Sequence, residues 1–173
     1  VLKEGDLLKL DIGVQIDGYI VDSAISIPIN TKKHDKLILA AKEALDNAVK
    51  LVKPGIYTSD IGEVIESTIE KHGFKSIRNL SGHGIEQYNV HAGYNIPNYK
   101  SGGKFKLERG MVIAIEPFAT DGQGLVTEGK SSGIYELADK KQVRMYRDVL
   151  NHIISTYQTL PFSEREVSKK FGR

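Results

Sequence analysis

Residues 7–28, LLKLDIGVQIDGYIVDSAISIP, constrain the fold more than any other stretch of the chain. Leu8, Leu10, Ile12 and Val14 alternate with Lys9, Asp11 and Gly13, the period of two expected of a half-buried strand with one apolar and one polar face. Asp17-Gly18 follows, a dipeptide suited to a two-residue hairpin turn, and residues 19–27 return as the partner strand. Because side-chain direction repeats every two residues, any even-numbered hairpin loop puts Asp11 and Asp22 on one face, directly opposite or diagonal. Two carboxylates so placed repel unless a cation meets them.

The rest of the chain alternates helical and extended patterns. Residues 33–52 carry Leu37, Ala40, Ala41, Ala44, Leu45 and Ala48 at helical spacing and stop at Pro54-Gly55. Thr58 or Ser59 can cap a second helix through about His72, with Ile61, Val64, Ile65 and Ile69 on one stripe. Residues 74–80 read as a short strand, 90–96 as a short extended stretch, 95–105 as loop, 106–110 as a turn and 111–120 as a buried strand. Beyond them the spacing predicts a strand over 134–137 and a helix over 140–157. A last helix starts near Ser163, where Ser-Glu-Arg-Glu offers a capping box.

Three further residues have chemistry that an ordinary core does not need. His83 lies between Gly82 and Gly84, which lets the backbone approach a neighbour closely, as a ligand loop or a tight turn requires. His91 follows eight residues later. Glu116 lies among Ile113, Ala114, Ile115 and Phe118, where a charge is costly unless something cationic meets it. Two aspartates, two histidines and a glutamate on strands or strand ends read as a metal site. His34, His72 and His152 sit at helix ends or on amphipathic helix positions and read as structural or solvent-facing.

The donor types narrow the metal. The chain has no cysteine, so thiolates are excluded, and carboxylates with imidazole suit Mn, Fe(II), Co or Zn. Several carboxylates suggest two divalent ions, an arrangement that activates water and polarises a carbonyl. The rest of the composition sets bounds: 173 residues, 40% hydrophobic and 27% charged, describe one soluble globular domain. A net charge of +2 gives no bulk attraction to DNA or membrane. No segment approaches the roughly 20 apolar residues of a membrane span, and the reading is a cytoplasmic protein. The chain opens almost directly in a strand and stops inside a helical pattern, so a piece of a longer polypeptide is expected.

With these residues in hand, the chain resembles the methionine aminopeptidase family, type II in its archaeal and eukaryotic form. The motifs are KLDIGVQIDGYIVDSA around Asp11 and Asp22, RNLSGHGIEQYNVHAGYNIPN around His83 and His91, and VIAIEPFATDG around Glu116. The helical segment 140–172, including TLPFSER, is similar to the family's inserted subdomain. The resemblance implies an α+β pita-bread (creatinase/aminopeptidase) fold, a curved antiparallel sheet with helices on its outer face. It divides the chain into an incomplete catalytic domain, 1–138, and the start of the C-terminal helical insertion, 139–173.

The resemblance also assigns roles. Asp11, Asp22, His83 and Glu116 would ligate two divalent ions (Co, Mn, Fe or Zn), with Asp22 bridging both. Glu116 would double as general base, and His91 would be catalytic by contacting the substrate amide. The family's fifth ligand, a bridging glutamate in a C-terminal strand, and a histidine upstream of the first strand have no counterpart here. Glu128 and Glu136 lie outside the expected motif. The implied activity is removal of the initiator methionine from a nascent-protein N-terminus by a monomer, with the ribosome as a further partner. An Xaa-Pro peptidase of the same fold and a non-catalytic pita-bread binding module are the alternatives.

Overall fold

The computed structural model describes residues 1–138 and 145–172. Strands β1 (Leu7–Ile16) and β2 (Tyr19–Pro28) pair without interruption from Leu7↔Pro28 to Ile16↔Tyr19. Asp17 and Gly18 close the turn at φ 50° and 81°, the two positive values that a type I′ turn needs. Gly18 is required twice over, since a Cβ there would lie 2.4 Å from the Tyr88 ring.

Helices α1 (Asp35–Leu51) and α2 (Thr58–Lys71) carry the core. Ala40, Ala44 and Ala48 repeat every four residues on α1 and are fully buried, as are Ile61, Ile65 and Ile69 on α2. Small residues on one helix and branched ones on the other let the two pack closely. Ala44, Ala48 and the three isoleucines cluster with Ile96 and Leu107. At Gly62 a Cβ would lie 2.3 Å from the Tyr99 carbonyl and 2.7 Å from that of Pro97, so glycine lets α2 press directly onto the chain leaving the sheet.

Beyond the helices come β3 (Lys75–Ser76), β4 (Ser81–Glu86), β5 (Asn89–Pro97), β6 (Val112–Ala114), β7 (Ala119–Thr120), β8 (Ile134–Tyr135), α3 (Arg147–Thr156), β9 (Phe162–Ser163) and α4 (Glu164–Phe171). Every pairing is antiparallel, and the hydrogen-bonded ladders among the described residues are β1-β2, β3-β7, β5-β4-β6 and β8-β9. Among the described residues the antiparallel strands thus form four separate ladders, of which β1-β2 is the longest.

Several expected elements take a different form. The single strand over 111–120 breaks into β6 and β7, with Glu116 and Pro117 in the gap. Proline has no N–H to donate and restricts the residue before it. The strand over 74–80 shrinks to β3. Instead the histidine segment is itself a strand, joined to β5 by a two-residue turn in which Tyr88 takes φ 58°. That strand runs on to Pro97, so the loop expected from residue 95 starts later.

The expected caps are also absent. Tyr57, not Thr58 or Ser59, is the α2 N-cap, and neither it nor Ser163 at α4 makes a side-chain capping bond. Ser59 Oγ accepts from the Gly102 N–H instead, and at α4 the Glu164 N–H donates to the Gly133 carbonyl. The first residues of the helix expected over 140–157, and the proposed boundary at 138/139, adjoin or lie among positions outside the described residues. The described helix starts at Arg147, after Tyr146 at φ 61°.

The β1-β2 hairpin stands apart from this core. Its Leu10, Ile12, Val14, Ile16, Val21 and Ile25 are 42–74% exposed, so the face expected to be half-buried is open. It is held at its tip and root. The Tyr88 N–H donates to the Gly18 carbonyl (2.9 Å) and Gln87 Nε2 to that of Asp17 (2.8 Å). At the root the Gly5 N–H donates to the Ile29 carbonyl (2.9 Å), and His34 Nε2 lies 3.0 Å from the Gly5 carbonyl.

Candidate metal centre

The hairpin's polar face turns toward β4. Gly13 pairs with Asp22 and Asp11 with Ala24, which puts Asp11 and Asp22 on the same face, diagonally placed, as the alternation requires. Across the gap, β4 brings His83 and the β6–β7 break brings Glu116. His83 Nε2 lies 3.3 Å from Asp22 Oδ2 and 2.9 Å from Glu116 Oε1. The three residues offer ligand atoms that all lie within 4.8 Å of one another.

The flanking glycines explain how His83 reaches this position. A Cβ at Gly82 would lie 2.2 Å from the Ala114 carbonyl oxygen, and one at Gly84 would lie 2.3 Å from the Tyr94 ring. Close approach is therefore the reason for both, and the neighbours are a strand and an aromatic ring. The Tyr94 ring is stacked on Phe105, with its hydroxyl donating to the Val112 carbonyl. His83 itself is 5% exposed, and its Nδ1 sits 3.1 Å from the Gly84 carbonyl. An N–H on Nδ1 donating there leaves the Nε2 lone pair free to face the two carboxylates, the tautomer a metal ligand needs.

Burial pushes the Glu116 carboxyl above its ordinary value, opposed by His83 and Lys9 and reinforced by Asp22 and Asp11. A carboxyl so raised favours folding while protonated, and that contribution is lost as pH rises through its folded-state pKa. A cation among the three donors would favour the ionised carboxyl and oppose that shift. One imidazole and two carboxylates suit a divalent ion of the Mn, Fe(II), Co or Zn type, so the donor set fits the group its sequence implies.

The other expected residues fall into place around this trio. His91 is exposed and sits edge-on to His83, ring centroids 4.4 Å apart. Asp11 shares the face, but its Oδ2 lies 3.2 Å from Lys9 Nζ, and it is not part of the three-residue group. Glu128 and Glu136 are exposed and likewise outside it. His72 pairs with Glu43 of α1 at 2.8 Å and His34 ties α1 to the hairpin root, both structural as expected. Sequence reasoning passed over Lys9 and Phe118 as site residues. The ammonium lies 4.7 Å from the Phe118 ring centroid, and the alternation that aligned Asp11 and Asp22 had already put Lys9 on their face.

A family model describing metallopeptidase family M24 matches residues 1–151. The chain belongs to that family. Among curated relatives, the methionine aminopeptidase of Thermococcus onnurineus is 49% identical over 168 residues, covering 95% of this chain and 57% of that relative. The chain thus spans a little over half the length of the relatives it matches. Among solved structures, the methionine aminopeptidase of Rickettsia prowazekii is 31% identical with a TM-score of 0.69, over 76% of this chain and 54% of that one. A prolidase from Pyrococcus horikoshii matches less extensively, at 28% identity and a TM-score of 0.58 over 67% of this chain and 33% of that one. The fold is the pita-bread fold of M24 peptidases, and the family's chemistry is metal-dependent peptide hydrolysis.

Proposed function

We propose that this chain carries the metal-binding part of a methionine aminopeptidase of the type II form, acting on the N-terminus of a nascent protein. The convergence of Asp22, His83 and Glu116 from three separate segments carries the reading. The similarity to methionine aminopeptidases, over 95% of this chain in sequence and 76% in structure, supports it over prolidase, whose structural resemblance covers less of both chains. Asp11, Asp22, His83 and Glu116 would hold up to two divalent ions. Such ions supply Lewis acidity toward a peptide carbonyl and a competent nucleophile at neutral pH.

The chain's own residues do the rest. His83 presents Nε2 while its other nitrogen is held by the Gly84 carbonyl. Glu116 is the proton acceptor: it stands at the β6–β7 break with its Oε1 2.9 Å from His83 Nε2, beside the position a metal-activated water would take. His91, edge-on to His83 and open to solvent, is the group that would meet the substrate amide. The division into a catalytic domain (1–138) and a helical insertion (139–173), a monomeric state, a cytoplasmic setting and a ribosomal encounter belong to the same proposal.

Hydrolysis assays with Met-Gly and Xaa-Pro peptides, run with Mn, Fe(II), Co and Zn in turn, test this reading. Release of methionine that depends on added metal is the expected result. Cleavage confined to Xaa-Pro bonds would overturn it in favour of a prolidase. Metal binding without cleavage of either substrate would leave a binding module.

A further inference from the structure

We propose that Lys9 is an internal counter-ion that occupies the Asp11 end of the metal centre and sets how readily that end accepts a second cation. The proposal rests on the metal reading of the site and goes beyond it. Strand alternation puts Lys9, Asp11 and, across the ladder, Asp22 on one face. The Lys9 ammonium lies 3.2 Å from Asp11 Oδ2 and 4.7 Å from the centroid of Phe118. Phe118 follows Glu116 by two residues, so the ring that steadies the ammonium stands on the segment that supplies a donor.

The consequence is a division of labour among the carboxylates. Asp22 and Glu116 face His83, whereas Asp11 faces a positive charge of the chain's own. An exposed lysine–aspartate pair contributes little to folding. Here its weight falls on the ion that would compete for the same carboxylate. A divalent cation approaching Asp11 must displace the ammonium or bind beside it, while the Asp22–His83–Glu116 group is spared that competition. The chain's own charge thereby weighs against a cation at the Asp11 end in particular.

The test is calorimetric titration of the chain with Mn(II), comparing wild type, Lys9→Met and the charge-preserving Lys9→Arg. Removing a unit charge a few ångströms from a divalent site in a half-exposed setting should tighten the weaker Mn(II) event by about 3- to 10-fold. The tighter event should stay within about twofold, and Lys9→Arg should behave as wild type. If Lys9→Met leaves the weaker event unchanged, or weakens it, the counter-ion role is overturned. His83→Ala separates the two ideas: wild-type Mn(II) binding that this variant does not reduce sinks the metal centre itself. Loss in His83→Ala with no gain in Lys9→Met sinks only the role of Lys9.

Discussion

The α1–α2 layer and the β1-β2 hairpin are built from similarly apolar sequence yet end in opposite environments. On α2, Ile61, Ile65 and Ile69 are fully buried, whereas on the hairpin Ile12, Val14 and Val21 are 51%, 58% and 68% exposed. The helices gain from burial, and the hairpin is held by backbone hydrogen bonds, the Gly18–Tyr88 contact and its polar face. The metal centre joins the two regions. His83 and Glu116 belong to the segments packed near the helices, and Asp22 comes from the hairpin. A cation among the three would therefore tie the weakly supported region to the well-packed one.

The largest effect should come from the buried side. Ile65→Ala leaves a cavity in the cluster with Ile96 and Leu107 and should cost about 2–5 kcal/mol, read as a fall in the denaturant midpoint with little change in slope. A loss under about 1 kcal/mol would mean that the α2 stripe is not the core. At the junction, His83→Ala should weaken the tighter divalent-ion event at least about tenfold to a hundredfold. His91→Ala should leave that affinity nearly intact and lower the turnover of a methionyl peptide by the full-length enzyme, because its ring borders the centre without being one of the three donors. Equal losses of metal in both variants would make His91 a ligand. The smallest effect belongs to the open face: Ile12→Ala should stay within about 0.5 kcal/mol. A cost comparable to that of Ile65→Ala would show that the hairpin's apolar face is covered in solution.

Local patterns carried much of this architecture. The alternation of residues 7–14 and the Asp17-Gly18 turn fixed the hairpin and the shared face of Asp11 and Asp22, since side-chain direction follows from the strand period alone. The helical spacing of the alanines on α1 and the isoleucines on α2 marked their buried stripes. Glu116 stood out because a carboxylate among apolar residues must be compensated. The break at Glu116-Pro117 was legible in principle, because proline limits its own segment wherever it falls.

What the sequence by itself determined is the inventory and the facing: which side chains can ligate, and which of them a strand turns the same way. Partners distant in the chain were decided by tertiary structure. Gly82 and Gly84 could be read as permitting close approach, but only packing assigned the Ala114 carbonyl and the Tyr94 ring as the neighbours approached. Asp11 and Asp22 looked equivalent by alternation, and only the folded arrangement separated them, giving Asp22 to His83 and Asp11 to Lys9. The physical reason is range. Periodicity and turn preference act over a few residues, whereas the distance between Asp22, His83 and Glu116 depends on how separate segments dock, and no local pattern encodes that distance.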